Sequence, residues 1–139
     1  MGSEDNYEAF SYFCAELNKL EVGYVHVVDG LGFGFHEKCK VFRLYDARKN
    51  FDGFIIGNCG YSKETAEGAL NTGCVDAIAF GRPYIGNPDL PARMENNWPL
   101  AEAGYPTYWT YPGFPDEGDP AQGYSDFPVY TPPAGEEAK

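Results

Sequence analysis

The stretch Asp76–Leu90, DAIAFGRPYIGNPDL, decides the fold. It opens inside a short apolar run, VDAIAF, that halts on Gly81 and Arg82. The chain then restarts as a helix, for which Asn87 is the expected cap and Pro88 the expected first helical residue. A buried strand closed by glycine and arginine and followed by a helix has the form of a strand end in an α/β protein, where such folds usually place ligands.

Working back towards the N-terminus, the same alternation recurs. SKETAEGALNTG predicts a helix capped by Ser62 and stopped by Gly73, with Ala66, Ala69 and Leu70 facing inward. GFIIGN, Gly53 to Asn58, and VGYVHVV, which runs up to Asp29, read as two further buried strands. NYEAFSYFCAELNKL carries Phe10, Phe13, Cys14, Leu17 and Leu20 at helical spacing, so these five should form one buried face, with Asp5 or Asn6 as cap. The expected order is α-β-(loop)-β-α-β-α, and near-continuous apolar strands alternating with helices imply a parallel sheet. Three such strands make a thin sheet, the pattern of a piece of something larger. Residues 1–95 hold these βα units. Residues 96–139 are irregular: Tyr105–Pro133 alone carries seven prolines among many aromatics. Disordered segments usually lack aromatics, so this tail should pack its rings onto a body, with the last residues frayed.

The totals narrow the function. With 21 acidic against 10 basic side chains the net charge is −11, and no basic run offers a face for nucleic acid or an anionic membrane. No apolar run approaches the roughly 20 residues of a membrane span, and the N-terminus lacks the pattern of a signal peptide. Cys14, Cys39, Cys59 and Cys74 form no CxxC pair, and His26 and His36 do not complete a zinc set with them. Reduced thiols in a cytoplasmic protein, with no metal, are the expectation.

Chemistry is expected at the strand ends. GNCGYSKE and FGRPY both put glycine where a backbone N–H meets an anion without a Cβ in the way. Two such loops on adjacent parallel strands suit a phosphate, with Arg82 adding charge and planar donors. Pattern alone favours ordinary turns over the phosphate, with Gly60 or Gly81 as turn residues and Arg82 a surface or ion-pair arginine. The loop DGLGFGFHEKC lacks the strand-GxGxxG-helix setting of a dinucleotide site. Its Phe33 and Phe35 would serve as a flap over a flat ligand or pack into their own loop. Asp29 and His36 stand as candidate bases without a visible partner.

Four segments together, GYVHVVDGLGFGFHE, GNCGYSKETAEGAL, DAIAFGRPYIGNPDLPARMENNWPL and GYSDFPVY, resemble the C-terminal part of the old yellow enzyme family of FMN-dependent ene-reductases. The resemblance runs from about Met1 to Tyr130. It implies a partial (β/α)8 TIM barrel, corresponding to strands six to eight with their helices plus the tail. It also implies an FMN-dependent NAD(P)H:enone oxidoreductase, with FMN held non-covalently and NAD(P)H as hydride donor. Cys59, Gly60 and Tyr61 on one loop, and Gly81 and Arg82 on the other, fall where the family binds the FMN phosphate. Cys59 replaces the usual glycine, which is harmless at negative φ and weakening if φ must be positive. Phe33, Phe35 and Tyr124 match walls of the substrate pocket.

The family's proton-donating Tyr and its substrate-binding His/Asn or His/His pair have no counterpart here, so no catalytic residue is assigned. Hydride transfer needs the substrate carbonyl polarised by such donors. The outer strands should present open edges, which favours self-association or a complementing N-terminal barrel chain. The alternative function is a non-catalytic remnant or assembly module that binds FMN or another phosphate ligand weakly.

Overall fold

β1 (Tyr24–Val28), β2 (Phe54–Asn58) and β3 (Ala77–Ala79) lie side by side in that order, all parallel. The computed structural model describes residues 3–29, 38–101 and 126–133. Val28 pairs with Asn58, and Asn58 with Ala79, so the three strands finish abreast. Their loops therefore leave from one edge of the sheet. The chain divides into two compact units between Phe80 and Gly81.

In the first unit, period-2 alternation gives the sheet two unlike faces. Val25 and Ile55 are buried in a core with Cys14, Leu44, Ala47, Phe51 and Val75, and Val27 and Ile78 pack against it. Gly57 belongs to this face because nothing larger fits: a Cβ there would lie 2.9 Å from Ile78 Cδ1 and 3.1 Å from Leu44 Cδ1. On the opposite face Tyr24, Val28 and Phe54 are exposed, at 59%, 66% and 46%. A parallel sheet normally has both faces covered, and among the described residues this one has a single covered face.

Two expectations need correction here. α1 (Asn6–Lys19) forms where its spacing predicts, but of the five residues expected inside only Cys14 is buried and Leu17 packs against the core. Phe10, Phe13 and Leu20 remain largely exposed. The second correction is a helix, α2 (Leu44–Asn50), in the stretch read as loop. Leu44 and Ala47 give it one buried turn. Asp46 starts it, accepting the Arg43 N–H at 3.1 Å and the Tyr7 hydroxyl at 2.8 Å, which fastens it to α1.

Polar side chains join the strands to their helices. Asp76, just before β3, accepts the Ile55 N–H at 2.7 Å and pairs with Arg48 of α2. Arg48 also donates to Gly53 O at 2.8 Å. The Ile55 N–H and the Arg48 guanidinium hold the Asp76 carboxyl below the usual carboxylate range. α3 (Lys63–Asn71) begins at Ser62, as predicted, and ends before Gly73, whose φ of +71° suits glycine. Ala66 is buried and Ala69 packs on the core, while Leu70 stays 40% exposed rather than turning inward.

The second unit contains α4 (Arg82–Gly86), α5 (Leu90–Asn96) and residues 126–133. Asn87 does not cap the last helix. It terminates α4, and Asp89 takes the N-cap position of α5. The reason is tertiary: fully buried Asn87 donates to Pro83 O (2.8 Å) and Ala101 O (3.1 Å) and accepts from Ala101 N (2.7 Å). Arg93, 5% exposed, donates from Nε to Asp89 Oδ1 (2.7 Å) and from its two Nη atoms to Pro99 O and Pro128 O (3.0 Å each). Asp89 Oδ2 in turn accepts the Tyr130 N–H at 2.7 Å. Asn-Pro-Asp-Leu and the arginine after it thus fasten the segment around Tyr130 onto α5. Trp98 packs its ring on Tyr130, with centroids 4.9 Å apart.

Candidate functional site

The candidate residues of the first unit cluster at the ends of β1 and β2. Cys59 and Gly60 follow β2 directly, with φ of +92° and +82°. Consecutive positive φ values turn the chain sharply, and the second costs nothing because it falls on glycine. The first falls on cysteine, whose Cβ makes that conformation strained, by about 1–3 kcal/mol. Of the two alternatives for Cys59, the structure therefore gives the unfavourable one.

Tyr61, next along, packs against the core and donates its hydroxyl to Asp29 Oδ2 at 2.6 Å. The Asp29 N–H donates to Asn58 O at 3.2 Å. Burial pushes the Asp29 carboxyl up from its ordinary value, and the Tyr61 hydrogen bond offsets part of that. Burial, and the adjacent Asp29, push the Tyr61 phenol well above the usual tyrosine range, so Tyr61 stays a neutral donor. Among the described residues, Asp29 Oδ1 is buried without a side-chain or backbone hydrogen-bond partner. On the open face Asn58 Nδ2 lies 3.1 Å from His26 Nε2.

α3 keeps its own N-terminus occupied. Ser62 Oγ accepts the Thr65 N–H at 3.3 Å and donates to the Glu64 carboxylate at 2.8 Å. An anion near β2 would therefore meet the amides of the Cys59–Tyr61 turn rather than the first turn of α3.

In the second unit Gly81 stands at the N-cap of α4, with φ −99°. Neither its backbone nor its packing among the described residues requires glycine, since a Cβ there would meet none of their atoms within 4 Å. The position is open space of the kind a ligand needs for close approach to a backbone amide. Arg82 is exposed beside it. Phe33, Phe35, His36 and Tyr124 lie outside the described residues.

Of the sequence-derived candidates, Cys59, Gly60 and Tyr61 come together with Asp29 in one turn, and Gly81 and Arg82 adjoin at the start of α4. Sequence reading missed the Asp29–Tyr61 pair. Its signal was there: both residues closely follow β-branched runs that pair in parallel. Among the described residues, no three His, Cys, Asp or Glu side chains gather to hold a metal, and no helix is long and apolar enough to cross a membrane.

Parallel strands with glycine-bearing polar turns at their carboxyl ends define an α/β architecture of the barrel or open-sheet type. No model of a known protein family matches the chain. Among curated proteins, the 12-oxophytodienoate reductase-like protein of Solanum lycopersicum is 38% identical over 127 residues, 90% of this chain and 32% of its own length. Among solved structures, the old yellow enzyme from Trypanosoma cruzi superposes with a TM-score of 0.71 at 29% identity, over 91% of this chain and 31% of that one. Morphinone reductase in complex with tetrahydroNAD gives 0.68 at 30% identity, over 90% and 31%. Over about 90% of its length the chain is similar to members of the old yellow enzyme family and to 12-oxophytodienoate reductases. It spans about a third of the length of the curated relatives it matches, and its three-stranded parallel sheet is consistent with part of their barrel.

Proposed function

We propose that this chain supplies the FMN phosphate-binding loops of an ene-reductase. The observation that carries this reading is the pair of strand-end glycine positions: Gly60 in a positive-φ turn, and Gly81, where nothing among the described residues demands glycine. Amides of Cys59, Gly60 and Tyr61 on one loop and of Gly81 on the other donate to the phosphate, and Arg82 adds its charge. The Tyr61 side chain serves the turn rather than the ligand, because its hydroxyl is already given to Asp29. Bound FMN supplies hydride transfer to an activated C=C bond, with NAD(P)H as the source of the hydride. The positive-φ turn at Cys59–Gly60 and the open glycine at 81 support this reading at the phosphate end of the group.

In this reading β1, β2 and β3 are barrel strands six, seven and eight. Residues 1–95 carry the βα units, and residues 96–139 form a tail over the barrel mouth. Phe33, Phe35 and Tyr124 line the pocket for a small enone. The protein works in the cytoplasm. The open face with Tyr24, Val28 and Phe54 is completed by a complementing N-terminal barrel chain or by self-association. That same uncovered face favours the second reading, an assembly module that binds FMN weakly without turnover.

A visible spectrum of the purified protein, titrated with FMN and followed through gel filtration, tests the proposal. A flavin band that stays with the protein and is lost in Arg82→Ala is the expected result. Unchanged flavin affinity in Arg82→Ala, with the fold intact, overturns the phosphate assignment.

A further inference from the structure

We infer that Asp29 and Tyr61 are positioning residues whose joint task is to hold Cys59 at positive φ, and so to keep the anion-binding form of the turn. The inference rests on the FMN reading for its purpose, but its physical content stands apart from it.

A strained residue persists only where its surroundings over-determine it. Here the strained residue is Cys59, and the constraint is bracketed on both sides by one neighbour. Asn58, immediately before Cys59, gives its carbonyl to the Asp29 N–H at 3.2 Å. Tyr61, immediately after Gly60, gives its hydroxyl to the Asp29 carboxylate at 2.6 Å. Both ends of the Cys59–Gly60 pair are therefore tied to a single residue just past β1, whose neighbour Val28 is paired in parallel with Asn58. Tyr61 is also seated on the core, so the tether has a fixed base.

The chemistry of the tether suits the task. A phenol–carboxylate hydrogen bond at 2.6 Å is charge-assisted and short. Asp29 is tied to Asn58 as well as to Tyr61, so its carboxylate is held in place just past β1. Without the tether, Cys59 has every reason to leave the left-handed region, and the amides of the turn lose their common direction. With glycine at position 59 the tether would have little left to enforce.

That contrast is the test. In the full chain, backbone NMR couplings report the sign of φ at Cys59. The expected result is positive φ in the unaltered protein and in Asp29→Asn, which keeps an acceptor oxygen for Tyr61. Negative φ is expected in Tyr61→Phe and Asp29→Ala. A Cys59 that keeps positive φ in folded Tyr61→Phe overturns the inference, whether or not flavin binds. Should Asp29→Ala fail to fold, Tyr61→Phe, which removes one oxygen, decides alone.

FMN titration then separates this inference from the reading beneath it. Tyr61→Phe should weaken FMN about tenfold, equivalent to about 1.4 kcal/mol, and Tyr61→Phe combined with Cys59→Gly should restore it. A loss that glycine does not rescue overturns the positioning role while leaving the phosphate loop in place. No FMN binding by the unaltered chain sinks the phosphate reading, and the coupling measurement still judges the tether.

Discussion

Replacing Arg93 with methionine tests a heavily constrained side chain of the second unit. The methionine conserves much of the volume and removes the guanidinium. Arg93 is 5% exposed and makes three hydrogen bonds, to Asp89 Oδ1 at 2.7 Å and to Pro99 O and Pro128 O at 3.0 Å. Removing it leaves the Asp89 carboxylate, whose side chain is only 15% exposed, holding the Tyr130 N–H but without its charged partner. Breaking a buried pair from one side costs about 3–5 kcal/mol, against about 0–1 for an exposed surface pair. We expect a loss near the lower end, about 3 kcal/mol, because Asp89 keeps that N–H. At roughly 3 °C per kcal/mol for a chain of this size, the melting temperature should fall by about 10 °C.

Urea denaturation followed by far-UV circular dichroism measures it, with tryptophan fluorescence reporting the Trp98–Tyr130 contact. A loss below about 1 kcal/mol would refute the reasoning, since it would mean the pair behaves as a surface salt bridge. The pH dependence gives a second check. Burial pushes the Asp89 carboxyl up, but the Tyr130 N–H and the Arg93 guanidinium outweigh it and hold it below the ordinary carboxylate value. Its contribution is therefore complete above that ordinary value and is lost as pH falls through the depressed one. In Arg93→Met this acid-side loss should begin at higher pH.

Gly81→Ala should leave stability within about 0.5 kcal/mol, because the new methyl meets open space, while weakening FMN measurably by titration. Gly73→Ala should cost about 1 kcal/mol in urea denaturation, since its φ of +71° is unfavourable for any residue with a Cβ. Asp76→Asn should cost about 1 kcal/mol, as Arg48 loses its charged partner. It should also flatten the acid limb of the stability curve, because a carboxyl held low stabilises only above its depressed pKa.

The strands were legible because each is a short run of β-branched and aromatic residues, and α3 because Ser62 and Gly73 punctuate it chemically. α2 was not, because its N-cap is Arg43 and its periodicity is a single turn, Leu44 and Ala47. The start of α5 was misplaced because Asn87-Pro88 has the local grammar of a helix start. The backbone of Ala101 claims the Asn87 amide instead, a demand 14 residues away that no local pattern carries. In the site, glycine positions could be read but the sign of φ at Cys59 could not, since nothing in a side chain's identity announces that its backbone is held against preference. The Asp29–Tyr61 bond likewise exists only once β1 and β2 are paired in register.

The uncovered face of the sheet has a thermodynamic consequence. Tyr24, Val28 and Phe54 stay in water when this chain folds, so the hydrophobic gain from their side of the sheet is deferred. Any surface that covers them, a second copy or a separate barrel chain, adds its binding free energy to folding by mass action. Were such a surface bound, folding would report two equilibria at once, and its midpoint would move with the concentration of the covering partner.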